Sequence, residues 1–348
     1  MNKKKMKKIV AVDLFCGAGG LTRGLKDAGI KVIRGYDNDS DLKDTYEKNN
    51  GRTKFIDKDV SEITKQDILN GIDRKKSYFL LAGCAPCQPF SSINRSNFET
   101  DGRKLLIMQF GRLIKATIPD FIFLENVPGL SNGKGKFIFK KFTEILDNLG
   151  YFHCSKIINT KNYGVPQSRG RLVLLASLKH PIDIPDQTHG KNKKPYVTVK
   201  DAIKNYPIIR AGKIHAKIPN HQTRDIESIN LQRLKYIKKN GGSRIDLPDH
   251  LVLECHKKHT GHSDVYGRMK WEDVAPTLTC KCTSITNGRF GHPTQLRGIS
   301  VREAATLQTF NDNYIFYGNL TQNTKWVGNA VPVRFSKIFG RYFVNMVN

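Results

Sequence analysis

Two cysteines follow a short apolar run in the segment GCAPCQPFS at residues 83–91. The apolar run at 79–82 predicts a buried strand and the polar residues 92–103 predict a loop. Cys84 and Cys87 are therefore expected at a strand end, where α/β enzymes place their chemistry. Prolines on both sides of Cys87 restrict the directions that its thiol can take. A thiol presented on such a basic loop is suited to act as a nucleophile.

The same C-x-x-C pair is also compatible with a redox site or a zinc site. A zinc site needs further ligands, and the sequence offers Cys255, His256, His259, His262, Cys280 and Cys282. Their spacing matches no ordinary zinc module, because only one residue separates Cys280 from Cys282. We therefore expect no metal, interpret Cys84 as a small buried residue and Cys87 as the reactive thiol. A zinc or redox protein remains the alternative.

A glycine-rich turn, CGAGG at 16–20, follows the predicted strand 9–15 and precedes a predicted helix. Glycines there let a ligand approach the backbone and the helix N-terminus. No Lys-Ser or Lys-Thr pair follows, and Thr22 occupies the third glycine position of the dinucleotide fingerprint. Asp37 ends the second strand signal, where an acid pairs with ribose hydroxyls, and Asp59 follows the third, where a carboxylate can accept an adenine amino proton. This pattern favours an adenosyl cofactor.

Charged side chains follow two further strand signals. Glu125 comes after the apolar run 121–124, where a carboxyl group can act as an acid, or can simply cap the loop that follows. Arg169 and Arg171 precede the predicted strand 171–177, where guanidinium groups can hold a base carbonyl and lower the pKa of a thiol. For either arginine a phosphate contact or a surface ion pair is the alternative interpretation.

The chain has 348 residues and a formal net charge of +27. This surplus favours a polyanionic partner, most simply nucleic acid, although lysine enrichment from coding bias is the alternative. No run of about 18 apolar residues occurs, so no membrane span is expected. The lysine-rich start precedes an apolar stretch that Asp13 interrupts, which argues against secretion. With an odd number of cysteines, seven, no disulfide framework is expected, and the predicted location is a reducing cytoplasm.

Strand and helix signals alternate along the first half of the chain, which predicts a doubly wound α/β domain. Predicted strands span 9–15, 32–35, 79–82, 121–124 and 171–177, and predicted helices span 21–28, 42–48, 105–116, 138–149, 301–308 and 333–346. Prolines and polar residues dominate after about residue 180. We therefore expect a catalytic domain at 1–184, a smaller irregular domain at 185–295, and a segment 296–348 whose helices return to the first domain.

Taken in order, these segments resemble those of the DNA cytosine-5 methyltransferases along most of the chain. The resemblance rests on the sequences DLFCGAGGLTRGL at 13–25, GCAPCQPFS at 83–91, FLENV at 123–127, QSRGR at 167–171, RGISVREAATLQTF at 297–310 and VGNAVPV at 327–333. One departure is mild: residue 37 is Asp where the family more often has Glu, so that the ribose contact is expected to be shorter or shifted.

The resemblance implies a mechanism and a set of site residues. The target cytosine is flipped out of the duplex, the Cys87 thiolate adds to its carbon 6, and Glu125 supports ring nitrogen 3 while carbon 5 takes the methyl group. The implied catalytic residues are Cys87, Gln88, Glu125, Arg169 and Arg171. The implied contacts to S-adenosylmethionine are Asp13, Phe15, Gly17, Gly19, Gly20, Leu21, Asp37, Asn38, Asp59, Val60, Pro86, Asn329 and Val331.

The resemblance also implies partners. Residues 185–295 become the target recognition domain for duplex DNA, with DNA contacts expected from Arg268, Trp271, Thr277, Thr279 and Arg289. A monomer acting on nucleoid DNA in a bacterium, beside a separately encoded restriction endonuclease, is the expected setting. Two alternatives remain: an RNA cytosine substrate, and a DNA-binding regulator that kept the fold without the activity. The large second domain favours duplex DNA, since direct readout needs a groove-reading surface.

Overall fold

The computed structural model describes residues 7–86, 106–257 and 264–348. Cys87 and Gln88, which are predicted catalytic residues, and His259 and His262 lie outside the described residues. The chain divides into two compact units. The first comprises Met1–Thr160, Gly170–Gln187 and Val331–Asn348, and the second comprises Lys161–Arg169 and Thr188–Ala330.

Within the described ranges, the strands of the first unit form one seven-stranded sheet in the order β3-β2-β1-β4-β5-β7-β6. The strands are β1 (Lys8–Leu14), β2 (Lys31–Asp37), β3 (Lys54–Asp57), β4 (Ser77–Gly83), β5 (Phe121–Asn126), β6 (Phe152–Asn159) and β7 (Gly170–Ser177). The first five run parallel, while β7 is antiparallel to both β5 and β6. The predicted doubly wound α/β sheet is thus confirmed.

Burial explains which strands the sequence signals reveal. The residues of β5 are buried at every position, and those of β4 at all but one, so both read as continuous apolar runs. The strand β6, which the sequence analysis did not predict, lies at the sheet edge with Phe152 and Ile157 exposed. Because an edge strand needs no continuous apolar run, the polar residues of β6 gave no strand signal.

The helices alternate with these strands and continue through the second unit. They are α1 (Gly20–Asp27), α2 (Lys43–Asn50), α3 (Lys65–Leu69), α4 (Leu106–Thr117), α5 (Gly129–Asn132), α6 (Lys136–Asn148), α7 (Val199–Ile203), α8 (Ser228–Tyr236), α9 (Glu254–Lys257), α10 (Val301–Leu307), α11 (Leu320–Asn329) and α12 (Val333–Val347). Among the described residues, none of these helices has the length and apolar character that a membrane crossing requires.

Two glycines let the helices α1 and α12 approach closely in the first unit. A Cβ atom at Gly24 would lie 2.4 Å from the Cβ of Ser336, and one at Gly340 would lie 2.7 Å from the Cβ of Ala28. Either contact is shorter than real side chains tolerate, so larger residues would force the helices apart. The last helix is thereby held against α1, the helix that follows the glycine-rich turn.

The second unit relies on short helices and on polar groups buried among them. A small apolar cluster includes Leu234, Ile237 and Tyr266. The helix α10 starts at a capping box of Ser300 and Glu303. The helix α11, which was not predicted, has a mostly polar sequence and begins at the side chain of Asn319, which accepts two backbone N–H groups.

The expected domain limits and the observed units differ in two respects. Residues Lys161–Arg169, expected in the first domain, belong to the second unit. After the last strand of the sheet, the chain leaves the first unit at Gln187, close to the expected limit at 184. The segment 296–348, expected to return to the first domain as a whole, is divided: α10 and α11 belong to the second unit and α12 to the first.

Candidate active site

The carboxyl ends of β4 and β5 bring two predicted catalytic segments together. These strands are parallel neighbours, and Gly83 is the pairing partner of Leu124. Glu125 follows Leu124 directly, while the chain continues from Gly83 through Ala85 towards Cys87. The Asn126 side chain donates a hydrogen bond of 3.0 Å to the Ala85 carbonyl oxygen. The segment that leads to the predicted nucleophile is therefore anchored beside the predicted acid.

Glu125 is held between β4 and β7. Its side chain is only 2% exposed, and its Oε1 lies 2.8 Å from Nε of Arg171, in a charge contact without the alignment of a hydrogen bond. Its Oε2 accepts a hydrogen bond of 2.7 Å from the Cys84 thiol. Arg171 stands at the start of β7, which pairs with β5. A buried carboxyl group with a charge contact at one oxygen and a hydrogen bond at the other has a fixed orientation, as a group that protonates a cytosine ring requires.

Cys84 differs from its sequence interpretation. We expected a small buried residue, but its side chain is partly exposed and bonded to Glu125. The C-x-x-C spacing is the available signal, and it offers a redox or zinc pair as the alternative to a small buried residue, but not a donor to a neighbouring strand. Only the pairing of β4 with β5 makes that contact possible.

Arg169 and Gln167 belong to the second unit, and their side chains form hydrogen bonds with its backbone. Arg169 is buried, and its Nη1 donates to the carbonyl oxygens of Leu278 (2.7 Å) and Gly328 (3.3 Å). The Gln167 amide donates to Gln308 and accepts from the Leu278 N–H, both at 2.9 Å. Of the two arginines in QSRGR, Arg171 meets Glu125, while Arg169 ties together chain segments of its own unit.

A cavity of about 200 Å³ opens beside the carboxyl ends of β1, β2 and β3. Six predicted cofactor residues line it: Phe15, Asp37, Asn38, Asp59, Val60 and Pro86. The other lining residues, which no sequence signal indicated, are Leu14, Tyr36, Lys58, Ile63 and Leu106. Most of these are apolar residues with no motif of their own, and only their position next to the acidic strand ends could have revealed them.

The glycine-rich turn follows Phe15, which lines this cavity, and contains residues in the left-handed conformation. Gly17 and Gly19 have φ angles of 51° and 83°, and even Phe15 has a φ of 56°. An aromatic residue in this region is strained, and such strain is concentrated at binding sites. The Gly17 N–H donates to Asp37 Oδ2 (2.9 Å), and the Asp39 N–H donates to Oδ1 (3.1 Å). Burial nevertheless raises the pKa of Asp37.

Asp59 presents a charged carboxylate in the cavity wall. Its Oδ1 accepts hydrogen bonds from the backbone N–H (2.9 Å) and the hydroxyl (2.6 Å) of Ser61. These bonds hold the pKa of Asp59 below its usual value. Arg112 on α4 donates to the carbonyl oxygen of Val60 (2.9 Å), which fixes the loop from a third element. The carboxylate is thus suited to accept hydrogen bonds from a ligand.

Asp13 lies beneath the turn rather than in the cavity wall. It is fully buried, and its Oδ2 accepts a hydrogen bond of 2.7 Å from the Thr22 hydroxyl, which also contacts the Tyr46 hydroxyl at 2.7 Å. Its Oδ1 has no hydrogen-bond partner among the described residues. Burial raises the pKa of Asp13 to about 7. The group supports the turn from below and carries an unsatisfied oxygen.

The remaining predicted cofactor residues lie in different places. Gly20 and Leu21 are the first residues of α1 and are buried. Val331 is buried in the first unit, whereas Asn329 is exposed at the end of α11 in the second.

Two of the basic residues expected on DNA have internal partners in the second unit. Arg268 is 1% exposed and donates to the carbonyl oxygens of Leu234, Ile237, His292 and Gln295. Burial lowers its pKa to about 10. The expectation of a DNA contact is therefore wrong for Arg268, which stabilises the fold. Arg289 pairs with Asp264 at 2.9 Å.

The aromatic and hydroxyl side chains of the same segment differ in exposure. Trp271 is partly buried and meets His292 edge-on, while Thr277 is exposed.

The predicted alternative metal ligands do not converge in the part of the chain that the structure describes. No group of three or more His, Cys, Asp or Glu side chains there is arranged to hold a metal ion. Cys280 is exposed, whereas Cys282 is buried in the second unit, where burial raises its thiol pKa to about 12.

The fold and the site together define a class. A sheet of this order, a left-handed glycine-rich turn after β1 and acidic residues after β2 and β3 describe an S-adenosylmethionine-dependent methyltransferase. The sequence model of the C-5 cytosine-specific DNA methylase family matches residues 9–343. The chain therefore belongs to this family, and the predicted DNA cytosine-5 methyltransferase activity is confirmed. The family implies S-adenosylmethionine as the methyl donor and DNA as the substrate.

Individual proteins agree with this assignment. The chain is 41% identical over 336 residues to the Type II methylase M.HgiDII of Herpetosiphon aurantiacus, which covers 95% of this chain and 93% of that protein. It is 31% identical over 324 residues to the Type II methyltransferase M1.HphI of Haemophilus parahaemolyticus, covering 92% and 82%. A crystal structure described as a prophage-encoded DNA modification methyltransferase of E. coli shares the fold, with a TM-score of 0.76, 24% identity, and coverage of 98% and 100%.

Proposed function

We propose that this methyltransferase modifies one short sequence in duplex DNA, with Cys87 as the nucleophile and Glu125 as the partner of the cytosine ring. The observation that supports these roles most directly is the pairing of Gly83 with Leu124. Because of this pairing, the segment that leads to Cys87 starts beside Glu125. The two carboxyl oxygens of Glu125 contact Arg171 and Cys84.

The roles follow from the chemistry of cytosine. Carbon 5 of the ring is too weak a nucleophile to attack a methyl donor, but addition of the Cys87 thiolate to carbon 6 creates an enamine whose carbon 5 is reactive. Glu125 offers a proton or a strong hydrogen bond to nitrogen 3 as negative charge builds there. After carbon 5 has been methylated, its proton leaves and the Cys87–carbon 6 bond breaks, so that the thiolate is released. The base is reached only after it leaves the helix stack.

The cavity beside β1, β2 and β3 is the proposed cofactor site. S-adenosylmethionine, when bound, supplies the methyl group. Asp37 and Asp59 offer carboxylate oxygens for hydroxyl and amino hydrogens, and Phe15 and Val60 offer apolar surface. The turn at Gly17 and Gly19 permits close approach to the backbone, since neither residue carries a side chain. No metal is needed for this chemistry.

The second unit is proposed to recognise the DNA sequence. The net charge of +27 suits a polyanionic duplex, and a separate unit offers a surface for reading bases. The Type II names of the relatives lead us to propose a separately encoded restriction endonuclease as a functional partner. We further propose a monomer that acts on nucleoid DNA in the bacterial cytoplasm.

Methyl transfer from labelled S-adenosylmethionine tests the proposal. Unmethylated duplex DNA and RNA are supplied separately, and the products are sequenced at base resolution. We expect label in 5-methylcytosine at one short recurring DNA sequence. Label in RNA alone would reassign the substrate, and cofactor-independent DNA binding without any label would favour a regulator.

Two variants test the residue roles. Cys87→Ser is expected to abolish methylation and to leave duplex binding largely intact, because only the nucleophile is lost. Glu125→Gln is expected to slow single-turnover methyl transfer by orders of magnitude without unfolding the protein. A near-normal rate in either variant would contradict the role assigned to that residue.

A further inference from the structure

The Cys84 thiol occupies one of the two oxygens of Glu125. Its Sγ lies 2.7 Å from Oε2, while Arg171 Nε lies 2.8 Å from Oε1. The backbone N–H of Cys84 donates to the carbonyl oxygen of Leu14 at 3.3 Å, so the residue continues the pairing of β4 with β1. Strand pairing therefore fixes the backbone of Cys84, and this determines where its thiol lies relative to Glu125.

The two partners of Glu125 differ in what they can do when the carboxyl group changes its protonation state. A guanidinium group only donates hydrogen bonds and cannot accept one from a protonated carboxyl group. A thiol is uncharged, donates weakly to a carboxylate and can accept weakly from a protonated carboxyl group. Cys84 can thus remain bonded to Oε2 in both states, without adding a second positive charge to the acid.

We propose that Cys84 is a positioning residue for Glu125, whose thiol holds the carboxyl group in its working orientation through the gain and loss of the proton. The proposal rests on the role of Glu125 in the proposed function. It assigns a function to the first cysteine of the C-x-x-C pair that is independent of metal and of redox chemistry.

Removal of the donor tests the proposal. Cys84→Ala is expected to slow single-turnover methyl transfer at saturating DNA and cofactor by about tenfold or more, which is typical for the loss of a hydrogen bond to a charged group. Dissociation constants for duplex DNA and for S-adenosylmethionine are expected to stay unchanged. Cys84→Ser, which keeps a donor and acceptor, is expected to recover most of the rate. Cys84→Val keeps the volume and should be as slow as Cys84→Ala.

Cys154 provides a matched control in the same unit. Cys154 lies on the edge strand β6, and its thiol also donates a hydrogen bond of 3.0 Å to a carboxylate, that of Asp183. Cys154→Ala should leave the single-turnover rate unchanged. A rate for Cys84→Ala and Cys84→Val equal to that of the wild type would overturn the proposal, as would failure of Cys84→Ser to recover the rate while all three variants fold normally by circular dichroism.

A double-mutant cycle separates this proposal from the role of Glu125 itself. If Cys84 acts through Glu125, then Cys84→Ala should have no further effect in a Glu125→Gln background. Equal slowing in both backgrounds would overturn the positioning role. A normal rate for Glu125→Gln alone would refute the proposed function instead, so the two failures are distinguishable.

Discussion

The Asn126 side chain donates a hydrogen bond of 3.0 Å to the carbonyl oxygen of Ala85, linking the end of β5 to the segment that follows β4. Its Oδ1 also accepts a hydrogen bond of 2.8 Å from the backbone N–H of Val127. The buried side-chain amide of Asn126 thus links the end of β5, next to Glu125, to the segment that leads to Cys87. The Glu-Asn pair of the FLENV segment therefore has two separate tasks, one chemical and one structural.

Replacing Asn126 with Ala should impair catalysis more than stability. The change leaves the Ala85 carbonyl without this donor and loosens the segment that carries the nucleophile, so we expect single-turnover methylation to slow by about tenfold. Asn148→Ala, at the exposed end of α6, is the control. Equal rates for Asn126→Ala and the control would show that the link is dispensable.

Replacing Asp13 with Asn should change how stability depends on pH. The pKa of Asp13 is raised from 3.8 to about 7 by burial. Between about pH 4 and pH 7 the folded state keeps a proton that the unfolded state has lost, so the free energy of unfolding falls as the pH rises through this window. The accumulated penalty above pH 7 is roughly 4 kcal/mol.

Urea denaturation at pH 4.5 and pH 8 measures this effect. Because Asn does not ionise, the stability of Asp13→Asn relative to the wild type should improve between the two pH values by an amount of the order of that penalty. A difference between variant and wild type that is the same at both pH values would show that Asp13 is not the group responsible.

Replacing Asp59 with Asn should weaken cofactor binding. An asparagine retains an oxygen that can accept from the Ser61 N–H, so the local turn should persist, but it lacks the charge that favours hydrogen bonds from a ligand amino group. We expect the dissociation constant for S-adenosylmethionine to rise by about tenfold, measured by calorimetry. Asp57→Asn changes an exposed acid on β3 outside the cavity lining and should bind normally; equal weakening in both would argue against the site.

Replacing Arg268 with Ala should destabilise the second unit. Four carbonyl oxygens would lose their buried donor, and the cost is expected to reach about 3 kcal/mol or more. Thermal unfolding and limited proteolysis measure the loss. If Arg268 instead contacted phosphate, the variant would keep its melting temperature and the salt dependence of DNA binding would become shallower by about one unit of slope.

The sequence by itself determined the class of the protein and most of its sheet. The strands β1, β4, β5 and β7 are buried and read as apolar runs, and the turn at Gly17 and Gly19 needs residues that tolerate positive φ. These signals are local, so they survive without knowledge of the fold. The exposed edge strand β6 and the polar helix α11 were missed because neither carries a strong local signal.

The tertiary structure alone decided which side chains meet. Cys84 reaches Glu125 because β4 and β5 are neighbours. Arg171 rather than Arg169 contacts the same carboxyl group because Arg171 lies on the strand paired with β5. Carbonyl oxygens from distant segments surround Arg268, although its positive charge suggested a contact with DNA. Residue type indicates what a side chain can bond to, but its partners depend on long-range strand pairing and burial, which no local pattern encodes.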